Sequence, residues 1–347
     1  MHKSELLSEI KGTIGWITLN RPKALNALSL PMIRQLAQLL KEWEINPSIK
    51  AVILQGAGDK AFCAGGDVKA VYEAKISGDF QICDTFFREE YTLNTHIHEY
   101  KKPYVALIDG IAMGGGLGIS INGSHRIVTE KALLAMPETG IGFFPDVGAT
   151  TFLTKAPGSI GLYLGLTGYR LSPQDALWAK LATHFMPSTR LQDLKHALET
   201  GVSLEETLSI YDTQPQEKGF LEHHVTQIDD HFHKSTLEDI IESLSQDPSP
   251  FAQNTLHTLL SKSPTSLAVV FRQLREVGPP LSFRERMRLE FRLSQHFVQN
   301  HDFAEGVRAV LVDKDHLPRW KPDTLEDVDL QKFASYFAPL EEKELAL

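Results

Sequence analysis

Three observations predict an α/β fold that gives way to a helical C-terminal region. Short apolar runs alternate with helical periodicities through roughly the first 195 residues. Two glycine-rich segments each lie between a predicted strand and a predicted helix. From Ser263 onward the apolar spacing is helical alone.

Ile14 to Leu19 has strand composition and ends at the turn signal Asn20-Arg21-Pro22. Ser29 stands where an N-cap belongs, with Pro31 just inside the helix start. Met32, Ile33, Leu36, Leu39, Leu40 and Trp43 then repeat at helical spacing until Pro47. Ala51 to Leu54 is a second strand, closed by the turn Gly56-Ala57-Gly58-Asp59, and Phe86, Phe87 and Glu90 fall in a predicted helix. Tyr104 to Ile108 and Arg126 to Val128 read as further strands. At Ser172-Pro173-Gln174-Asp175 a helix starts, the acid three residues after the serine as in a capping box. The polar stretch 190–250 predicts helices joined by loops. Leu267, Val270, Phe271 and Leu274 form one later helical face, and Met287, Leu289, Phe291, Leu293 and Phe297 populate another. Pro318 to Leu347 predicts a helical tail with an irregular lead-in. The organisation expected is a core over 1–195 and a mainly helical region over 196–347.

With 347 residues, 42% hydrophobic and 23% charged, the chain has the composition of a globular protein with a substantial core. Its net charge of −9, from 44 acids against 35 bases, argues against a nucleic-acid partner. Cys63 and Cys83 make no disulfide framework. No secretory leader, arginine-rich presequence or long apolar run is evident, so no membrane partner is expected. Cytoplasm is the expected location, or the mitochondrial matrix if a presequence has been removed. The pairs His96/His98, His223/His224 and His231/His233 lack metal-motif spacing, and no metal site is expected.

The glycine-rich segments are Lys60 to Asp67 and Asp109 to Gly118. At a helix start the first amides lack intrahelical partners and the macrodipole favours negative charge. Either segment alone is equally explained by a tight turn; together they favour an anion or oxyanion site. Neither contains G-x-G-x-x-G, and the chain has no P-loop and no G-x-S-x-G elbow. A third segment, Met136 to Gly148, sets Glu138 and Asp146 eight residues apart among Gly, Pro and Phe. Acids in apolar surroundings have disturbed proton affinities, as acid–base catalysis requires. By spacing alone, an exposed acidic loop remains the better account.

Arg21-Pro22-Lys23-Ala24-Leu25-Asn26-Ala27-Leu28, Ala64-Gly65-Gly66-Asp67 and Gly114-Gly115-Gly116 resemble the motifs of the crotonase superfamily, which handles acyl-coenzyme A substrates. The segments Ala61–Asp67, Phe86–Tyr91, Lys102–Leu107, Pro137–Asp146, Leu166–Leu171, Ser263–Leu267 and His301–Leu311 resemble its hydrolase branch. The likeness spans residues from about 10 to about 325.

The resemblance implies a spiral of ββα units followed by the helical region. It implies an oxyanion hole from the amides of Gly66 and Gly115, and catalysis by Glu138 and Asp146. Glu138 would act as general base or as nucleophile, and Asp146 would orient water or a substrate hydroxyl. Glu90, Gly115, Glu138 and Asp146 would contact the acyl group; Lys23, Ala24, Ala64, Gly65 and Asp67 would hold coenzyme A. Coenzyme A is then part of the substrate, so no cofactor is implied, and the helical region is compatible with a homo-oligomer. Hydratases of the superfamily carry a second glutamate where this chain has Gly118, and glycine where it has Asp146. The implied reaction is therefore hydrolysis of a short 3-hydroxyacyl thioester, foremost 3-hydroxyisobutyryl-coenzyme A in valine breakdown, with enoyl hydration or isomerisation as the alternative. Ala149-Thr150-Thr151 departs from the smaller residues usual in the hydrolase branch. Arg284, Arg286, Arg288 and Arg292 either hold phosphates or decorate a solvated helix face.

Overall fold

The computed structural model describes residues 4–347. They form two compact units interleaved along the chain. The first comprises residues up to Gly66, Thr92–Ala135 and Arg170–His223; the second comprises Asp67–Tyr91, Met136–Tyr169 and His224–Leu347. A cut at 195/196 falls inside the first unit, because its successive strands are separated by excursions into the second.

The first unit carries the strands found among the described residues: β1 (Leu6–Lys11), β2 (Ile14–Leu19), β3 (Ala51–Gly56), β4 (Ala61–Cys63), β5 (Tyr104–Ile108), β6 (Ile111–Met113), β7 (His125–Val128), β8 (Leu133–Ala135) and β9 (His184–Phe185). They make a six-stranded sheet in the order β1-β2-β3-β5-β7-β9 and a three-stranded sheet in the order β4-β6-β8. From β3 onward consecutive strands alternate between the sheets, and every pairing beyond the β1–β2 hairpin is parallel. This is the expected spiral, each turn adding one strand to each sheet. Strands β4, β6 and β8 have three residues each, too few to display a period in sequence.

The central parallel strands β3 and β5 are largely buried and read as near-continuous apolar runs; all five residues of β5 are buried. One face of the large sheet presents Ile14, Trp16, Ile53, Val105, Leu107 and Ile127. It is covered by Leu191, Leu194, Leu198, Leu204 and Leu208 from the helices Leu191–Glu199 and Leu204–Tyr211. Ser29 caps the helix Leu30–Ile45 through the Met32 amide, and Ser172 with Asp175 closes a capping box, as their spacing predicts.

The second unit is helical. Its core is an aromatic cluster in which Phe143 stacks on Phe87 at 5.5 Å and meets Phe144, Phe297 and Phe303 at 4.6, 5.6 and 5.4 Å. Backbones pack closely there: a Cβ on Gly142 would lie 2.1 Å from the Asp302 carbonyl oxygen, and one on Gly306 2.3 Å from the Ile141 carbonyl carbon. Ser263 ties the same region, donating from its amide to Thr139 O at 3.2 Å and from its hydroxyl to Asp302 at 2.6 Å. The tail is strapped at Lys343–Leu345, whose carbonyls accept from Arg88 and Arg288 while Arg292 pairs with Glu344 at 2.8 Å.

Candidate active site

In the first unit, β4 and β6 run parallel as neighbours, so the glycine segments that follow them emerge side by side. Gly65 has φ of +120°, and a Cβ there would sit 3.3 Å from Met113 O and 3.8 Å from Gly115 N. At Gly116 a Cβ would lie 2.2 Å from the Cys63 carbonyl oxygen. Glycine is required here by close approach of two backbones. Gly115 is the first residue of the helix Gly115–Ile121. No acceptor among the described residues takes the N–H of Gly66 or Gly115, the condition an oxyanion hole needs.

Pro22–Ala24 forms a 3-10 turn, and the segment after it is laced to the first glycine loop. Ala64 N donates to Leu25 O at 3.0 Å and Leu28 N to Gly65 O at 2.8 Å. Asn26, wholly buried with φ of +57°, donates to Ala57 O and Ala61 O at 2.9 Å and accepts from Arg21 N at 3.0 Å. A cavity of about 260 Å³ opens beside it, lined by Lys23, Leu25, Asn26, Gly58 and Lys60 among others. Lys23 lines this cavity, and the Ala64–Gly65 loop is tied to Leu25 and Leu28 just after the Pro22–Ala24 turn. Asp67 belongs to the second unit, where it caps the helix Val68–Ile76 through the Ala70 amide at 3.3 Å.

The second unit gathers Glu90, Glu138 and Asp146, all buried. Glu90 lies on the helix Phe80–His98, Glu138 opens the 3-10 turn Glu138–Ile141, and Asp146 sits at the other end of the same loop. Two further residues, unassigned from sequence, complete the group. Tyr91 donates its hydroxyl to Asp146 Oδ2 at 2.6 Å. Glu290 accepts from Gly148 N at 2.7 Å, Thr150 N at 2.9 Å and Thr150 Oγ1 at 2.6 Å. Within the departure Ala149-Thr150-Thr151, Thr150 supplies a hydroxyl to a buried carboxylate, while Thr151 Oγ1 is buried without a partner among the described residues. Glu138 Oε2 and Glu90 Oε1 are buried without a hydrogen-bond partner among the described residues, a costly state that a bound polar ligand would relieve.

Burial dominates the electrostatics. It raises Glu138 well above the ordinary carboxylate range, with the Asp146 charge adding to the effect, and does the same to Glu90. Asp146 is pushed up to about 7 by burial, against the downward pull of the Tyr91 hydroxyl and its own backbone amide. Glu290 is likewise pushed up to about 7 by burial, against its hydrogen bonds from Thr150 and Gly148. Coupled acids of this kind titrate as a group. A carboxyl whose folded pKa lies above its unfolded one binds more protons when folded, so its favourable effect is present at low pH and fades as the pH rises through 7. Asp146→Asn removes that dependence at one position. Its stability relative to wild type is expected to improve by about 2 kcal/mol between pH 5.5 and pH 8, measured by urea unfolding. A difference that stays constant with pH would contradict the assignment.

Of the four arginines, Arg284 is exposed, as a solvated helix face requires, whereas the other three have partners within the protein. Arg286 is buried and donates to the carbonyls of Gly278 at 3.0 Å and Pro279 at 2.7 Å, while Arg288 and Arg292 hold the C-terminal tail. The same helix, Phe283–Gln299, hides Glu290. The signal available in sequence was periodicity: Glu290 shares a helical face with Leu293 and Phe297, an acid on an apolar stripe.

A family model described as Enoyl-CoA hydratase/isomerase matches residues 14–337. The chain is 47% identical over 351 residues to a Rattus norvegicus protein named 3-hydroxyisobutyryl-CoA hydrolase, mitochondrial, covering 99% of this chain and 91% of that one. The Homo sapiens protein of that name is 47% identical over 350 residues, covering 98% and 90%. Among solved structures, a carnitinyl-CoA dehydratase from Mycobacterium thermoresistibile aligns with a TM-score of 0.94 at 37% identity over 99% of both chains. An enoyl-CoA hydratase from Rhodobacter sphaeroides 2.4.1 aligns at 0.93 and 38%, over 99% of this chain and 100% of that one. Hydrolase and hydratase names therefore both occur among similar proteins, and the residues of the site have to separate them.

Proposed function

The chain belongs to the enoyl-CoA hydratase/isomerase family, and from that membership we propose that it hydrolyses 3-hydroxyisobutyryl-coenzyme A to 3-hydroxyisobutyrate and coenzyme A. The observation that carries this is the placement of acids. Glu138 and Asp146 are buried together in one loop, while the helix Gly115–Ile121 has Gly118 and no carboxylate at all. Hydration of an enoyl thioester in the hydratase manner needs a second glutamate on that helix. Hydrolysis needs only an acceptor for the water proton, a donor for the departing thiolate and stabilisation of the tetrahedral oxyanion. Burial raises the proton affinity of both acids, which supports roles in taking up and handing on a proton near neutral pH.

Gly66 and Gly115 supply the oxyanion amides. Glu138 acts at the carbonyl carbon, as general base toward water or as nucleophile. Asp146 orients water or the 3-hydroxyl and helps protonate the leaving thiolate; Glu90 contacts the acyl group. Coenzyme A lies along the Lys23–Ala24 turn and the Ala64–Gly65 loop, as substrate and not cofactor. The names of the relatives place those proteins in mitochondria, and this supports the matrix, not the cytoplasm, as the place of action.

The test offers 3-hydroxyisobutyryl-coenzyme A and crotonyl-coenzyme A side by side. Thiol release from the first, with little loss of enoyl absorbance from the second, is the expected result. Rapid hydration of crotonyl-coenzyme A without thiol release would overturn the reading.

A further inference from the structure

We propose that Tyr91 is a positioning residue for Asp146, fixing that carboxylate through Oδ2 so that Oδ1 is presented to the substrate. The proposal rests on the thioesterase reading above for what Asp146 does, but its geometry stands alone.

Both partners are buried, Tyr91 fully and Asp146 to 5% exposure, and their hydrogen bond is 2.6 Å long. The tyrosine ring has no room to swing: it packs edge-on to Phe291 at 6.4 Å and tilted against Phe87 at 5.8 Å. Oδ1 has no side-chain partner among the described residues.

The backbone of Asp146 is held as well. Val147 has φ of +54°, a left-handed conformation that is strained for a β-branched residue. Flanking bonds sustain it: Gln273 Nε2 donates to Pro145 O at 2.9 Å before the turn, and Glu290 accepts from Gly148 and Thr150 after it. With the backbone clamped, the orientation of the carboxylate is the remaining freedom, and Tyr91 removes it.

The surrounding charges explain why a neutral donor matters. The titratable groups acting on Asp146 and Tyr91 are Glu90, Glu138 and Glu290, all acids. The cation behind them, Arg286, acts on Glu290 and spends its donors on Gly278 and Pro279 carbonyls. The Tyr91 hydroxyl is therefore the side-chain donor that favours ionised Asp146. Burial and the neighbouring acids keep that phenol protonated, so the donation persists across the working pH range.

The test uses Tyr91→Phe, Asp146→Asn and the double variant in the full chain. Thiol release from 3-hydroxyisobutyryl-coenzyme A is followed from pH 5.5 to 9. Tyr91→Phe is expected to lower kcat about 10- to 100-fold with KM changed less than about threefold, the loss of a hydrogen bond to a charged group felt in turnover. The acid limb of kcat/KM should move up by about one pH unit, because the ionised acid has lost a donor. The double variant should be no slower than Asp146→Asn, since the tyrosine acts through the aspartate. A second readout needs no substrate: carbon-13 NMR titration of Asp146 in the unliganded protein should show a higher midpoint in Tyr91→Phe. Incorporating 3-fluorotyrosine, a stronger donor that keeps the packing, should lower that midpoint. An unmoved pH profile, with Asp146 titration unchanged in both altered proteins, would reduce Tyr91 to a packing residue. Failure of wild type to release thiol would defeat the functional reading alone, leaving the NMR titration to judge Tyr91.

Discussion

Glu138→Gln is expected to lower kcat for thioester hydrolysis by about three orders of magnitude, the range for losing a positioned acid–base group. The substitution keeps the shape of the side chain, so the loss is not of packing. Glu138 is 6% exposed and has one carboxylate oxygen without a partner. Burial already weighs against its charge. The glutamine variant should therefore fold at least as stably as wild type at pH 8, read by thermal melting, while thiol release falls almost to background. KM should stay within a few-fold, because the coenzyme A moiety is held elsewhere in the proposed scheme. A variant retaining more than about a tenth of wild-type kcat would be too active for a residue in this role, and the assignment of Glu138 would have to be abandoned.

Gly116→Ala is expected to do the second-largest damage, for a different reason. The added carbon would lie 2.2 Å from the Cys63 carbonyl oxygen and 3.0 Å from the Cys63 carbonyl carbon. Those are backbone atoms of β4 and cannot rotate away as a side chain would. Either β4 and β6 separate at their ends or the start of the helix Gly115–Ile121 shifts. Overpacking of this kind costs about 1–3 kcal/mol and occasionally more, and a displaced Gly115 amide forfeits an oxyanion donor worth about 100- to 1,000-fold in rate. The two losses should appear together, as a lowered melting temperature and a kcat reduced at unchanged pH optimum. A variant with wild-type stability and turnover would show that the strands do not need to approach so closely.

The parts of the site legible in sequence were those with a local signal. Glycines between a strand and a helix and serine N-caps declare themselves within a few residues, whereas Glu138 and Asp146 stand out from an ordinary acidic loop only through the family resemblance. What stayed hidden depends on partners distant in sequence. Tyr91 stands next to Glu90, yet nothing local tells that its hydroxyl meets Asp146. Glu290 is obscured by the arginines around it, whose charges suggest a solvated face; Arg286 and Arg288 donate to backbone carbonyls and Arg292 pairs with Glu344 instead. The large sheet was legible from β2, β3, β5 and β7, whereas the three-residue strands of the small sheet were too short to carry a period. Composition along the chain suggests a front and a back, but it cannot reveal that each excursion from the strands returns.

Those excursions bear on how the protein is born. The chain passes between the units after Gly66, Tyr91, Ala135, Tyr169 and His223. A ribosome delivers it from the N-terminus at about 5–20 residues per second. The segments carrying Glu90, Glu138 and Asp146 therefore emerge well before Gln273 and Glu290, which clamp the Asp146 turn. Until then the acids remain hydrated and ionised, like any carboxylate in water. Enclosing them raises their affinity for protons, so completion of the second unit draws hydrogen ions from the surrounding solution. Maturation of the nascent chain is in this sense an act of proton capture, deferred until its last third has been made.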